Sequence, residues 1–265
     1  MDCAGKLHCE GFVNIRIIGT GNMGSGLATV LAKHHSVSLY DKHADKARLV
    51  AQETGAAFCE TPFEKLSKDS IVLLAIKPQD FDSFVKESKG ALTGKILVSV
   101  LTGVSLETLA ASFSIPVMRI MPNLAVKYGK GIIACASKDE LYKEELHGLF
   151  SLLGLVKWIP EESFDAMTSL IGSGPGFMCA IVEAMVDAGI AMGLPASDSY
   201  ILVKQMIEGT LCLLQEDLPS AVKWQITSPG GTTIAGLRVF EEKGVRSGII
   251  ETFVAAKEKS GQNRN

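Results

Sequence analysis

The stretch Ile15–His35, IRIIGTGNMGSGLATVLAKHH, restricts the possible folds more than any other part of the chain. Four residues rich in β-branched side chains run into Gly19, Gly21 and Gly24, and an amphipathic pattern follows at once. A G-x-G-x-x-G spacing between a strand and a helix has a mechanical reading. The first glycine permits a tight turn, the second lets a pyrophosphate approach the backbone, and the third allows the helix to pack closely on the strand. The free N–H groups and partial positive charge of the helix N-terminus then face the phosphates. Asp41 ends the next apolar run, VSLYD, where a carboxylate accepts from ribose hydroxyls and favours NAD. Lys42 and His43 follow it and suit a 2′-phosphate, so the sequence leaves NADH and NADPH both open.

Strand-like runs recur at 13–19, 37–41, 71–76, 95–100, 117–121, 131–137 and 155–159, with helical patterns such as DKARLVAQETG and SLETLAASF between the earlier ones. Near-continuous apolar strands alternating with helices predict a parallel sheet covered on both faces. Ser105 and Thr61, the latter before Pro62, occupy positions expected of helix caps. AIKPQ (75–79) ends the third long strand, at the sheet edge where a ligand runs, although Lys77 there also reads as a surface lysine.

Beyond Pro160 the periodicity becomes helical throughout, and unusually apolar. The reading is therefore α/β: a Rossmann-type domain over 1–160 and an all-α domain over 161–265. A helical domain this small and apolar is expected to bury a face against a second copy, giving a homodimer or larger homo-oligomer. The polar tail SGQNRN is expected to fray.

Composition excludes several classes. Charged residues make up 21% and the formal net charge is −3, with no basic stripe, so nucleic acid is not an expected partner. Six scattered cysteines without a Cys-x-x-Cys pair read as reduced, mostly buried thiols. With five dispersed histidines they predict no metal site. The opening MDCAGKLHCEGFVN lacks a signal-type apolar run, and charges are expected to interrupt later apolar runs short of a membrane span. A soluble, cytoplasmic protein without a membrane partner is expected.

The segment ITSPGGTTIAGL (226–237) concentrates hydroxyls and glycines without any charge. By itself it also reads as a helix cap. Its amides at Gly230, Gly231 and Thr232 suit a substrate carboxylate, and glycines let that backbone close on a ligand. GSGPGF (172–177) opens a long helix and reads mainly as a site of close helix approach.

Taken in order and spacing, IGTGNMG, AIKPQ, RIMPN, DAMTSLIGSGPGF and ITSPGGTTIAGLRVFEEKG resemble pyrroline-5-carboxylate reductase, from Val13 to about Ser260. The resemblance implies reduction of L-1-pyrroline-5-carboxylate to L-proline with NADPH or NADH, by a Rossmann domain followed by a helical dimerisation domain. It implies that Gly19, Thr20, Gly21, Asn22, Met23 and Gly24, with Ala75, Ile76, Lys77 and Pro78, line the dinucleotide, and that Asn123 lies on its nicotinamide side. It implies that Thr233 faces the imine nitrogen, while Ser228, Gly230, Gly231 and Thr232 hold the carboxylate. Glu161 then borders the substrate and Gln225 the cofactor.

The chain departs from the family pattern at Leu124-Ala125 in place of Thr-Pro, at Gly176-Phe177 in place of Ala-Tyr, and at Trp224 in place of an acidic residue. The chemistry is consistent with the loop. A protonated cyclic imine is already an electrophile, so positioning and one hydrogen bond suffice, whereas carbonyl reduction calls for an acid. A 3-hydroxyacid dehydrogenase would place lysine and asparagine where Ala180 and Glu183 stand. A dinucleotide sensor without turnover is the alternative of another class.

Overall fold

The computed structural model describes residues 12–262. In chain order the elements are β1 (Asn14–Ile18), α1 (Asn22–Leu31), β2 (Ser36–Tyr40), α2 (Ala44–Thr54), β3 (Ala57–Phe58) and β4 (Ile71–Leu74). Then come α3 (Phe81–Ser88), β5 (Ile96–Ser99), α4 (Leu106–Ser112), β6 (Val117–Pro122), β7 (Gly131–Ser137), α5 (Lys143–Ser151) and β8 (Gly154–Trp158). The remainder is helical: α6 (Phe164–Met167), α7 (Gly174–Ala191), α8 (Ala196–Leu213), α9 (Pro219–Gln225), α10 (Thr232–Glu242) and α11 (Val245–Gln262).

The eight strands form one sheet in the order β3-β2-β1-β4-β5-β6-β7-β8. The apolar runs are continuous because alternate residues serve opposite faces. Ile71 and Leu73 join Leu27, Leu31 and Phe150 in one cluster. Val72 and Leu74 join Phe81, Phe84 and Leu109 in another, under α3 and α4. Full burial of one such Phe or Leu side chain contributes roughly 1.5–3 kcal/mol.

The parallel reading needs one correction: β6 and β7 pair antiparallel, Met118 opposite Ser137. Their connection is a single 3-10 turn, Leu124–Tyr128, too short for the crossover that a parallel neighbour demands. β3 escaped the sequence because two residues show no period. Ser105 caps α4 as expected, accepting from the Thr108 amide at 3.0 Å. Thr61 caps nothing. Its carbonyl and that of Pro62 instead face Arg16, a buried arginine of β1 that donates to Pro62 O and Glu64 O, each at 2.7 Å.

Two compact units emerge. One ends at Gly172 and takes in the chain again from Lys257; the other is Ser173–Ala256. The first runs past residue 160 because Phe164 and Ile171 pack with Met121 and Ala134 beneath the sheet. Ser260, placed in the fraying tail by its sequence, is instead buried in α11 and donates to Asp165 Oδ1 at 3.0 Å.

Within the second unit α7 lies against α8. A Cβ on Gly189 would strike the Ser199 hydroxyl, which donates to Val186 O at 2.8 Å. Within this unit a Cβ on Gly176, in the segment GSGPGF, would meet nothing within 4 Å among the described residues. A π-helical turn, Thr168–Ser173, occupies that region. The helical run Glu161–Ala191 carries no charge between Asp165 and Glu183, and by length and composition it could cross a membrane, contrary to the sequence expectation.

Candidate functional site

The sheet order reverses between β1 and β4, and a cavity of about 480 Å³ opens at the carboxyl ends of β1, β2 and β4. Of the expected dinucleotide residues it brings together Gly19, Gly21, Asp41, Ala75, Ile76 and Lys77. The three glycines differ in what surrounds them. Gly19 has φ +100°, and a Cβ there would strike the Ala75 carbonyl. A Cβ on Gly24 would strike the Gly19 carbonyl. A Cβ on Gly21 would meet nothing within 4 Å, so its missing side chain leaves open room beside the α1 N-terminus. That is the cradle a pyrophosphate requires, and these residues fit a bound dinucleotide.

Thr20 does not line the cavity. It is buried, and its amide and hydroxyl donate to Asp41 Oδ2 at 2.7 and 3.0 Å. The His43 amide donates to Asp41 Oδ1 at 3.0 Å. Burial pushes the Asp41 carboxyl up, but the hydrogen bonds from His43 and Thr20 outweigh it and hold the pKa below the usual carboxylate value. Asn22 is exposed at the first turn of α1, and Met23, Gly24 and Pro78 also stand off the cavity wall. Asn123 is buried between β6 and β7, where its Oδ1 accepts from the Ile132 amide at 3.3 Å. Lys46, Asp80, Ser83 and Glu87 line the cavity but had no sequence signal, because they belong to helices α2 and α3 and to the turn after β4.

Glu161 is held elsewhere in the first unit. Its Oε1 accepts from Arg119 Nη1 at 2.8 Å and from the Leu106 amide, at the start of α4, at 2.7 Å. Arg119, in the middle of β6, is only 3% exposed, and its guanidinium stacks 4.4 Å from the Phe164 ring centre. One carboxylate thus fastens the start of the helical run to the sheet. The signal for it was a lone arginine inside the apolar run VMRIM.

The hydroxyl-rich loop lies in the second unit, between α9 and α10. Thr227 Oγ1 donates to Lys223 O at 2.6 Å as α9 ends, and the Gly231 amide closes a turn onto Ser228 O at 3.1 Å. Gly230 has φ +68°, a conformation that favours glycine. A Cβ on Gly231 would run into the Ser228 hydroxyl. No side chain caps α10 and no acidic residue enters its first turn, so the amides of Thr232 and Thr233 stand ready for an anion. Thr233 Oγ1 donates to Ile226 O at 3.2 Å. Ser228, Gly230, Gly231, Thr232 and Thr233 therefore share one turn. Gln225, at the end of α9, donates to Asp217 Oδ2 at 2.7 Å. Phe177, where the family pattern has a tyrosine, packs edge-on to Phe253 with ring centres 5.1 Å apart.

Cys59 and Cys135 are buried, and burial pushes the Cys135 thiol up to about 12. Cys179 and Cys212 are exposed on the helices, contrary to the expectation of burial for most thiols. Cys3, Cys9 and His8 lie outside the described residues. Among the described residues no group of three or more His, Cys, Asp or Glu side chains is placed to hold a metal.

The comparisons fall on both parts of the chain. The family described as pyrroline-5-carboxylate reductase dimerisation matches residues 161–263, and that described as NADP oxidoreductase, coenzyme F420-dependent, matches residues 14–103. The pyrroline-5-carboxylate reductase of Synechocystis is 36% identical over 203 residues, covering 74% of this chain and 76% of that one. The crystal structure of 1-pyrroline-5-carboxylate reductase from Streptococcus pyogenes superposes with a TM-score of 0.85 at 26% identity, over 93% of this chain and 97% of that one. The pyrroline carboxylate reductase of Plasmodium falciparum, solved with NADP bound, gives 0.83 at 25% identity, over 96% of this chain and all of that one. With a glycine cradle at the sheet's switch point and an uncapped, hydroxyl-bearing helix start in its helical part, the chain belongs to the pyrroline-5-carboxylate reductase family.

Proposed function

We propose that the protein reduces L-1-pyrroline-5-carboxylate to L-proline with NADPH or NADH, as the final step of proline synthesis. The observation that carries this reading is the start of α10: free amides, a left-handed glycine and the Thr233 hydroxyl, with no charged group among Ser228–Thr233. The amides of Gly230 and Thr232, with Ser228, hold the substrate carboxylate, while Gly231, whose own amide closes the turn onto Ser228 O, shapes the loop around it. Thr233 faces the ring nitrogen, and Glu161 borders the substrate. Gly19–Gly24, Asp41, Ala75–Pro78, Asn123 and Gln225 serve the dinucleotide, which supplies the hydride when bound.

The substrate enters as its iminium, so addition at the ring carbon yields the secondary amine with the nitrogen already carrying its proton. No acid of the chain is consumed. Thr233 donates its own proton to Ile226 O, which leaves its oxygen lone pairs to accept from the iminium N–H. Residues 1–160 act as the dinucleotide domain and 161–265 as the substrate and dimerisation domain.

The working form is a homodimer or larger, joined through the helical domain, in the cytoplasm, and binds neither nucleic acid nor membrane. Support for assembly comes from Met178, Tyr200, Ile201, Leu202 and Met206, large apolar side chains left exposed on α7 and α8 of the single chain. A second copy covering them also accounts for the membrane-length apolar run.

Oxidation of NADPH and NADH by the purified protein, with the imine and beside a panel of ketoacids, tests the activity. Turnover confined to the imine is expected. Failure of the imine to oxidise either dinucleotide removes the reductase reading and favours a dinucleotide sensor. Sedimentation equilibrium tests the assembly, and a stable monomer at micromolar concentration overturns it.

A further inference from the structure

Two carboxylates of the dinucleotide cavity bear on which dinucleotide enters it. Asp41 Oδ2 already accepts two hydrogen bonds, both from Thr20. Oδ1 accepts one, from the His43 amide, and each carboxylate oxygen accepts about two. One acceptor direction therefore remains for a ribose hydroxyl, on an anion locked in place at the end of β2. A second phosphate on that ribose would bring up to two further negative charges against this carboxylate, and needs a free cation to accept it.

The obvious cation is Lys42, directly after Asp41. Its ammonium is instead paired with Asp80 Oδ1 at 2.8 Å. Asp80 stands in the turn after β4, so the pair bridges the lip of the cavity across the end of β1. Of the other lysines on the wall, Lys46 already lies close enough to Asp41 to favour its charge. Lys77 completes the set, and Asp41, Asp80 and Glu87 match the three lysines charge for charge. Among the described residues the lysines of the wall leave no surplus of positive charge over its carboxylates for a phosphate dianion, and His43, the other basic residue there, has its amide bound to Asp41 Oδ1.

We propose that Asp80 sets the choice of dinucleotide through Lys42: it holds the ammonium away from the ribose 2′ position, leaving Asp41 to select the unphosphorylated ribose, so the protein prefers NADH. Asp80 is a positioning residue in this scheme. The proposal rests on the reading of this cavity as the dinucleotide site, and it is tested without the imine.

The experiment titrates NADH and NADPH separately into the full-length protein, following nucleotide fluorescence. The wild type is expected to bind NADH at least about tenfold tighter, the span of one well-placed charge contact. Asp80→Asn releases Lys42 and is expected to raise the NADPH-to-NADH affinity ratio about fivefold or more. Asp80→Glu keeps the wild-type ratio, and adding Lys42→Met to Asp80→Asn removes the gain. A wild type that favours NADPH, or an Asp80→Asn variant in which both affinities fall together at a fixed ratio, overturns the proposal. Failure of both dinucleotides to bind overturns it together with the site. The expected ratios in a protein that does not turn over the imine uphold it and remove only the reductase reading.

Discussion

Thr233 Oγ1 sits 3.2 Å from the carbonyl oxygen of Ile226, so the hydroxyl at the start of α10 spends its proton on the loop that precedes it. This leaves the oxygen lone pairs as acceptors, and in the proposed reaction they accept from a protonated ring nitrogen. Thr233→Ala is expected to lower kcat/KM for the imine by roughly ten- to a hundredfold, the loss of one oriented hydrogen bond to a charged group. Dinucleotide affinity should hold. Thr233→Ser, which keeps the hydroxyl, should recover most of the loss. Steady-state kinetics of the two variants decide it, and an unimpaired Thr233→Ala variant removes Thr233 from the reaction.

The glycines of the first turn separate binding from folding. Among the described residues a Cβ at Gly21 meets nothing within 4 Å, whereas a Cβ at Gly24 strikes the Gly19 carbonyl. Gly21→Ala should fold with a Tm close to the wild type and bind dinucleotide at least about tenfold more weakly, because its methyl occupies the pyrophosphate's room. Gly24→Ala should lose stability by about 1–3 kcal/mol as α1 is pushed off β1. Thermal melts beside fluorescence titrations distinguish the two, and equal behaviour of both variants contradicts the assignment.

Glu161 joins the helical run to the sheet through Arg119 and the first amide of α4. Glu161→Ala removes the carboxylate from a guanidinium that is almost wholly buried. The expected cost is about 2–4 kcal/mol, read as a lower urea midpoint. A change of less than about 0.5 kcal/mol, the usual size for a surface substitution, would show that the pair does not anchor the run.

His35 is buried in the turn between α1 and β2, and neither ring nitrogen has a hydrogen-bond partner among the described residues. Burial, with a smaller contribution from neighbouring His34, holds its pKa below the ordinary histidine value of 6.5. The unfolded chain therefore takes up a proton that the folded chain refuses. His35 costs no stability above the unfolded pKa, and stability falls as the pH drops below about 6.5 towards the depressed folded value. Urea unfolding at pH 7.5 and 5.5 should show this loss, and His35→Leu should flatten the difference.

Arg16 and Arg119 show where sequence reading stopped short. Each interrupts an apolar strand, and each is buried. From the sequence alone neither has an assigned partner. Arg16 holds the carbonyls of Pro62 and Glu64, in a segment whose Thr61 resembled a helix cap, and Arg119 holds Glu161, which the family resemblance placed beside the substrate. Thr20 is similar: its place in the glycine turn was legible, but its grip on Asp41 was not.

What the sequence determined by itself was local. The alternation of apolar residues, the glycine spacing after β1 and the hydroxyl-glycine run before α10 act within one or two turns of chain, and each constrains its own backbone wherever it lies. They sufficed for most strands of the sheet and for the helical second part, and they marked the glycine turn and the hydroxyl loop, but not Lys46, Asp80, Ser83 or Glu87 on the cavity wall. Tertiary structure decided what depends on charge meeting charge across long stretches of sequence, Lys42 with Asp80 and Arg119 with Glu161, and it also turned β7 back antiparallel onto β6. A buried or cavity-facing ion takes its partner from whatever the fold brings within about 4 Å, and no local pattern encodes that distance.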